Sequence, residues 1–161
     1  MSQIVIAEED PRTPDAAAMM AALDARMREL YRPETCHLAS AETLLTSGSV
    51  FLVARDDGRA VGCVALMPIE DGIGEIKRVW TVPEARGRGV ASALLAAIEA
   101  AARARRMPAL MLETSDKQPD AVGLFRKHGF VERGPYGGYC NDPELIFMEK
   151  SLATTDTESA A

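Results

Sequence analysis

Cysteine and histidine are scarce in this chain, with three cysteines (Cys36, Cys63, Cys140) and two histidines (His37, His128) in 161 residues. The cysteines lie far apart and form no C-x-x-C pair, so neither a structural zinc site nor any other metal is expected. Cys63, inside the apolar run AVGCVALM, reads as a small core residue. Basic residues are also in short supply: 18 Lys plus Arg stand against 24 Asp plus Glu, for a formal charge of -6. That balance argues against nucleic acid as a main partner and tolerates cationic small molecules. Long hydrophobic runs are missing as well. None approaches the roughly 20 residues needed to span a bilayer, and MSQIVIAEED carries acids where a secretory signal would carry bases. A cytoplasmic protein without membrane association is the expectation.

What the chain does contain is periodicity. QIVIAEE alternates apolar and polar residues as a strand does. Next, Thr13 as N-cap and Pro14 at the first helical position open a helix with Met19, Met20, Leu23, Met27 and Leu30 along one face, a stripe read as core. Pro33 ends it, and SAETLLTSG is expected to form a shorter second helix. Two β-rich runs flank Asp57-Gly58, a strong hairpin signal. GEIKRVWTV is a further strand, followed by a glycine turn and a helix to about Arg106, whose basic end suits the helix dipole. ALMLET, a helix from about Pro119 to His128 and ELIFMEKSL complete the chain.

The order β-α-α-β-β-β-α-β-α-β implies a mixed sheet covered by helices, an α/β (α+β) fold in one domain over residues 1–152. Residues 153–161, with no apolar pattern, are expected to be a disordered tail.

The most informative stretch is ARGRGVAS, between the fourth strand and an alanine- and leucine-rich helix. Gly87 and Gly89 allow a tight turn with no Cβ to obstruct a ligand, and the amides opening the next helix favour an anion. Arg86 and Arg88 add full positive charge. A P-loop would need a lysine and a hydroxyl that RGRGVA lacks, and a dinucleotide fingerprint would need a third glycine after the first strand. A ligand-free strand-to-helix turn is the plain alternative.

TVPEARGRGVA resembles the acetyl-coenzyme A signature of the GNAT superfamily of N-acetyltransferases, with Arg86-x-x-Gly89-x-Ala91 as its core. The resemblance runs over nearly the whole chain and implies a mostly antiparallel central sheet with helices on both faces. It further implies that the coenzyme pyrophosphate lies on the amides of Gly87, Arg88, Gly89, Val90, Ala91 and Ser92. By the same resemblance, backbone groups of Val79, Trp80 and Thr81 pair with the pantetheine arm. Acetyl-CoA is then the cosubstrate, a small-molecule or peptide amine the acceptor, and a homodimer the family's frequent assembly.

Acetyl transfer to an amine needs a base for the amine and a proton for the departing thiolate. Glu75 stands where some members of the family carry their general base. It either deprotonates the amine or binds the substrate through charge alone. QPDAVGLFRKHGF resembles the family's N-x-x-A-x-x-L-Y-x-x-x-G-F segment, with two departures. Gln118 replaces the asparagine that holds the pantetheine arm. Phe125 replaces the tyrosine that serves as acid, and a phenyl ring has no proton to give. Within GPYGGYCNDPE, Tyr139 is the candidate replacement and a candidate acceptor-site residue, with Tyr136 as its neighbour and Asn141, Asp142 and Glu144 near a cationic substrate. Tyr31, near the end of the first helix, and Glu42 belong to the regions that roof the acceptor pocket in this family. Two functions stay open: an acetyl-CoA-dependent N-acetyltransferase, and a non-catalytic domain that binds acyl-CoA as a signal or structural ligand.

Overall fold

The computed structural model describes residues 3–31, 39–46, 48–137 and 143–152. Seven strands form one sheet: β1 (Ile4–Glu8), β2 (Val50–Asp56), β3 (Arg59–Pro68), β4 (Gly74–Thr81), β5 (Ala109–Thr114), β6 (Val131–Arg133) and β7 (Ile146–Ser151). They hydrogen-bond in the order β1-β2-β3-β4-β5-β7-β6. The β4–β5 pair is parallel, and the neighbours β1–β2, β2–β3, β5–β7 and β6–β7 are antiparallel. Three α-helices join them, α1 (Pro14–Leu30), α2 (Val90–Ala104) and α3 (Pro119–Lys127). The expected α+β architecture with a mostly antiparallel sheet is present.

The chain divides into two compact units, Met1–Met67 with Ile76–Ile98 and Pro68–Glu75 with Glu99–Ala161. In the first, Thr13 caps α1 by accepting the Ala16 amide at 3.2 Å, a contact that contributes about 1 kcal/mol. Of the α1 stripe, Met19, Met20, Leu23 and Met27 are buried and Leu30 is half-buried, and Met19 and Met20 lie in one cluster with Phe51, Val53, Cys63 and Ala65. These strand residues share one side of the sheet, because side chains alternate along a strand. Gly62 faces the other way, where an added Cβ would sit 2.9 Å from Val90 Cγ1 and 3.0 Å from Leu94 Cδ1. Helices α1 and α2 therefore cover opposite faces. Asp57 and Gly58 both have positive φ, 52° and 87°, and Asp56 pairs with Arg59, so the hairpin turn is the two-residue kind that Asp-Gly favours.

In the second unit, Met111, Tyr136 and Phe147 form a cluster joined by Ile69, Ile73 and Leu145. Helix α3 is held by Phe125, whose ring meets Phe130 edge to face with centroids 5.9 Å apart.

Two expectations need correction. The second helix expected over SAETLLTSG is a single 3-10 turn, Thr43–Leu45. Its serines and threonines bond locally instead: Ser40 Oγ accepts the Thr43 amide at 3.1 Å, and Thr46 Oγ1 donates to the Thr43 carbonyl at 2.9 Å. Strand β6 was absent from the expected order, because its three residues are all exposed and carry no apolar pattern. Tyr139, with Cys36, His37, Cys140, Asn141, Asp142, Pro33 and residues 153–161, lies outside the described residues.

Candidate functional site

Strand β4 and the turn after it carry the predicted coenzyme residues in the first unit. Val79, Trp80 and Thr81 end the strand, and a short 3-10 turn, Pro83–Ala85, leads to Arg86. Gly87 and Gly89 both take left-handed backbone conformations, φ 80° and 82°. Side chains other than glycine are rare there, which is a sufficient local reason for both residues. A Cβ added at either would meet no atom within 4 Å, so the turn faces open space and a ligand could approach its backbone. Helix α2 begins immediately: the Ala93 amide bonds the Gly89 carbonyl at 3.0 Å, and the amides ahead of it belong to the helix's open first turn. Val90 is buried as the first anchor of that helix, while Ala91 and Ser92 are half-buried.

Both arginines of the turn are exposed and oriented. Arg86 Nε donates to the Thr81 carbonyl at 3.1 Å, and its guanidinium lies 4.8 Å from the centre of the Trp80 ring. Arg88 pairs with Asp56 at 2.9 Å. Two cations thus stand beside a helix N-terminus, an arrangement that favours a phosphate group.

Strand β4 is not regular. Arg78 has φ 60°, a left-handed residue within a strand, and so interrupts the regular extended backbone. Its carbonyl accepts the Cys63 thiol at 3.4 Å, and burial pushes that thiol up to about 12. Cys63 is therefore an inert core donor, as its sequence context predicts.

The second unit holds the other candidates. Glu75 is only 5% exposed, and Tyr136 donates its hydroxyl proton to the Glu75 carboxylate at 2.7 Å. Tyr136 is itself buried, edge-on to Phe147 with centroids 5.7 Å apart, and the Arg133 guanidinium lies 5.9 Å from its ring centre. Among the described residues Tyr136, the neighbour of the Tyr139 selected from sequence, places a tyrosine hydroxyl on the carboxylate. Gln118 is the residue before α3, its carbonyl accepting the Val122 amide at 3.1 Å without a side-chain cap. Phe125 is buried within the same helix. Glu144 pairs with Lys117 at 3.2 Å. In the first unit, Tyr31 ends α1, its amide bonding the Met27 carbonyl at 2.9 Å.

A model of the Acetyltransferase (GNAT) family matches residues 16–130, a span that includes strand β4, the glycine turn and α3. The chain belongs to the GNAT family. It is 42% identical over 153 residues to an IAA acetyltransferase of Azospirillum brasilense, a match covering 94% of this chain and all of that one. Its fold agrees with a crystal structure from Klebsiella pneumoniae described as an acyl-CoA N-acyltransferase, at TM-score 0.79 and 35% identity over 93% of this chain and 98% of the other. A GNAT acetyltransferase from Elizabethkingia anophelis, solved with acetyl-CoA bound, shares the fold at TM-score 0.70 and 20% identity over 92% of this chain and 98% of the other. This GNAT chain is an acyltransferase, and no described helix is long and apolar enough to cross a membrane.

Proposed function

We propose that the chain transfers an acetyl group from acetyl-CoA to a primary amine of a small molecule or peptide by direct attack, with Glu75 as general base. The observation that carries this reading is the Arg86-x-x-Gly89-x-Ala91 turn, with two left-handed glycines and open space in front of them. Acetyl-CoA supplies an activated thioester whose thiolate is a good leaving group. The turn's amides and the Arg86 and Arg88 guanidiniums bind the pyrophosphate, and the Val79–Thr81 backbone pairs with the pantetheine arm. Gln118 and Phe125, by their place in the family pattern, line the coenzyme from α3. Glu75 takes the proton of the incoming amine, and the Tyr136 hydroxyl holds the carboxylate while it does so. Tyr31 and Tyr139 are the proposed acceptor contacts.

Phe125 supports a second reading, a domain that binds acyl-CoA without turnover, because the family's usual acid is missing. A calorimetric titration with acetyl-CoA beside a Gly89→Val variant tests the shared premise. Tight binding that the variant loses supports the coenzyme site, whereas no binding by the wild type removes it. Coenzyme release measured across a panel of primary amines then separates the two: release that depends on an amine supports the transferase, and binding without release supports the sensor.

A further inference from the structure

Arg78 is an unusual residue for the middle of a strand. Its φ of 60° lies in the left-handed region, which is strained for an ordinary residue and which glycine adopts freely. An arginine is therefore not there for its backbone. Its side chain is 4% exposed, and the guanidinium is engaged on several sides. Nε donates to the Ala39 carbonyl at 2.7 Å, and one terminal nitrogen reaches Asp24 Oδ1 on α1 at 2.5 Å and the Met20 carbonyl at 3.5 Å. The Cys63 thiol of β3 also holds the Arg78 carbonyl. The left-handed residue is thus clamped through its side chain by α1 and the residue at 39, and through its backbone by the neighbouring strand.

The residues immediately after the clamp are Val79, Trp80 and Thr81. Gly62, opposite them on β3, leaves no room for a Cβ: one would lie 2.9 Å from the Trp80 carbonyl. That side of the segment is closely backed. The geometry points to the Arg78–Asp24 pair as a latch that fixes the backbone of Val79–Thr81 for the pantetheine arm. Neither side chain touches the coenzyme, so both are positioning residues. The inference rests on the coenzyme reading above and assigns two residues to it that the turn motif does not contain.

The test compares the wild-type chain, Asp24→Asn and Arg78→Lys by calorimetry with two probes. One is acetyl-CoA. The other is 3′-phosphoadenosine 5′-diphosphate, the nucleotide portion of the coenzyme without its pantetheine arm. Asp24→Asn weakens the latch without altering the strand, so it keeps the test open should Arg78→Lys fail to fold. The expected result is a Kd for acetyl-CoA raised about tenfold or more in Asp24→Asn, with the nucleotide's Kd within about twofold of wild type. Equal loss for both probes would mean general damage and overturn the assignment, as would an unchanged acetyl-CoA Kd in folded Asp24→Asn. A wild type that binds neither probe would instead overturn the coenzyme reading, a result separable from failure of the latch alone.

Discussion

Strand β4 carries two buried ionisable side chains three residues apart, Glu75 near its start and Arg78 in its middle, and they are engaged differently. Arg78 spends its guanidinium on α1 and on backbone carbonyls, so its charge is consumed in holding shape. Glu75, near the start of the strand, is equally buried and accepts the Tyr136 hydroxyl at 2.7 Å, a contact that fixes the orientation of its carboxylate. The same strand therefore offers a scaffold charge and a candidate reactive charge.

The sharpest way to break that contrast is Glu75→Gln. If Glu75 is the base, kcat for the best amine falls by about 10²–10⁴, the range general-base removal spans, while acetyl-CoA binding by calorimetry is unchanged. A variant with wild-type kcat would reduce Glu75 to a charge near the substrate. Next in size is Gly89→Val, expected to raise the acetyl-CoA Kd by about 100-fold by blocking the turn's amides. Valine also strains φ 82°, so Gly58→Val, at φ 87° in the hairpin and equally open, is the matched control. It should lower Tm and leave acetyl-CoA affinity alone. Loss of binding in both variants would attribute the effect to backbone strain.

Tyr136→Phe is expected to have a smaller effect. It keeps the ring on Phe147 and deletes only the hydroxyl, with an expected fall of about tenfold in kcat, the worth of one hydrogen bond to a charged group. In a Glu75→Gln background the same change should cost little, because the hydroxyl acts through the carboxylate. An equal cost in both backgrounds would make Tyr136 a packing residue.

Legibility in the sequence divided along the same line. The turn could be read because glycine is chosen for backbone conformation, a local property, and Gly87 and Gly89 both adopt left-handed conformations. The α1 methionine stripe and the Asp57-Gly58 hairpin were readable for the same reason. That Tyr136 meets Glu75 was not legible, since the two are 61 residues apart and their contact is a tertiary matter. Arg78 left a signal that alternation alone could have exposed: it shares parity with Ile76 and Trp80 in EIKRVWT, an odd place for an arginine. Its partner Asp24, 54 residues away, left none.

A third carboxylate sharpens the distinction at the smallest scale. Glu99 on α2 bonds Lys150 at 2.6 Å and Arg103 at 2.9 Å within the second unit, so it resembles Arg78 in function more than Glu75. Burial alone would raise its pKa, but Lys150 and Arg103 together hold it below the ordinary value of 4.5. A carboxyl group whose pKa is lower in the folded chain binds protons more readily when unfolded. Its stabilisation is therefore complete above the ordinary carboxylate range and is lost as pH falls through it. Glu99→Gln should cost about 1 kcal/mol at pH 7, a few degrees in Tm, because the pair is partly exposed. That difference from wild type should shrink below about pH 4 and leave acetyl-CoA affinity unchanged. A Tm gap that does not narrow with acid would show that Glu99 stabilises through packing of its stem, and charge in this unit would then give no contrast with Glu75.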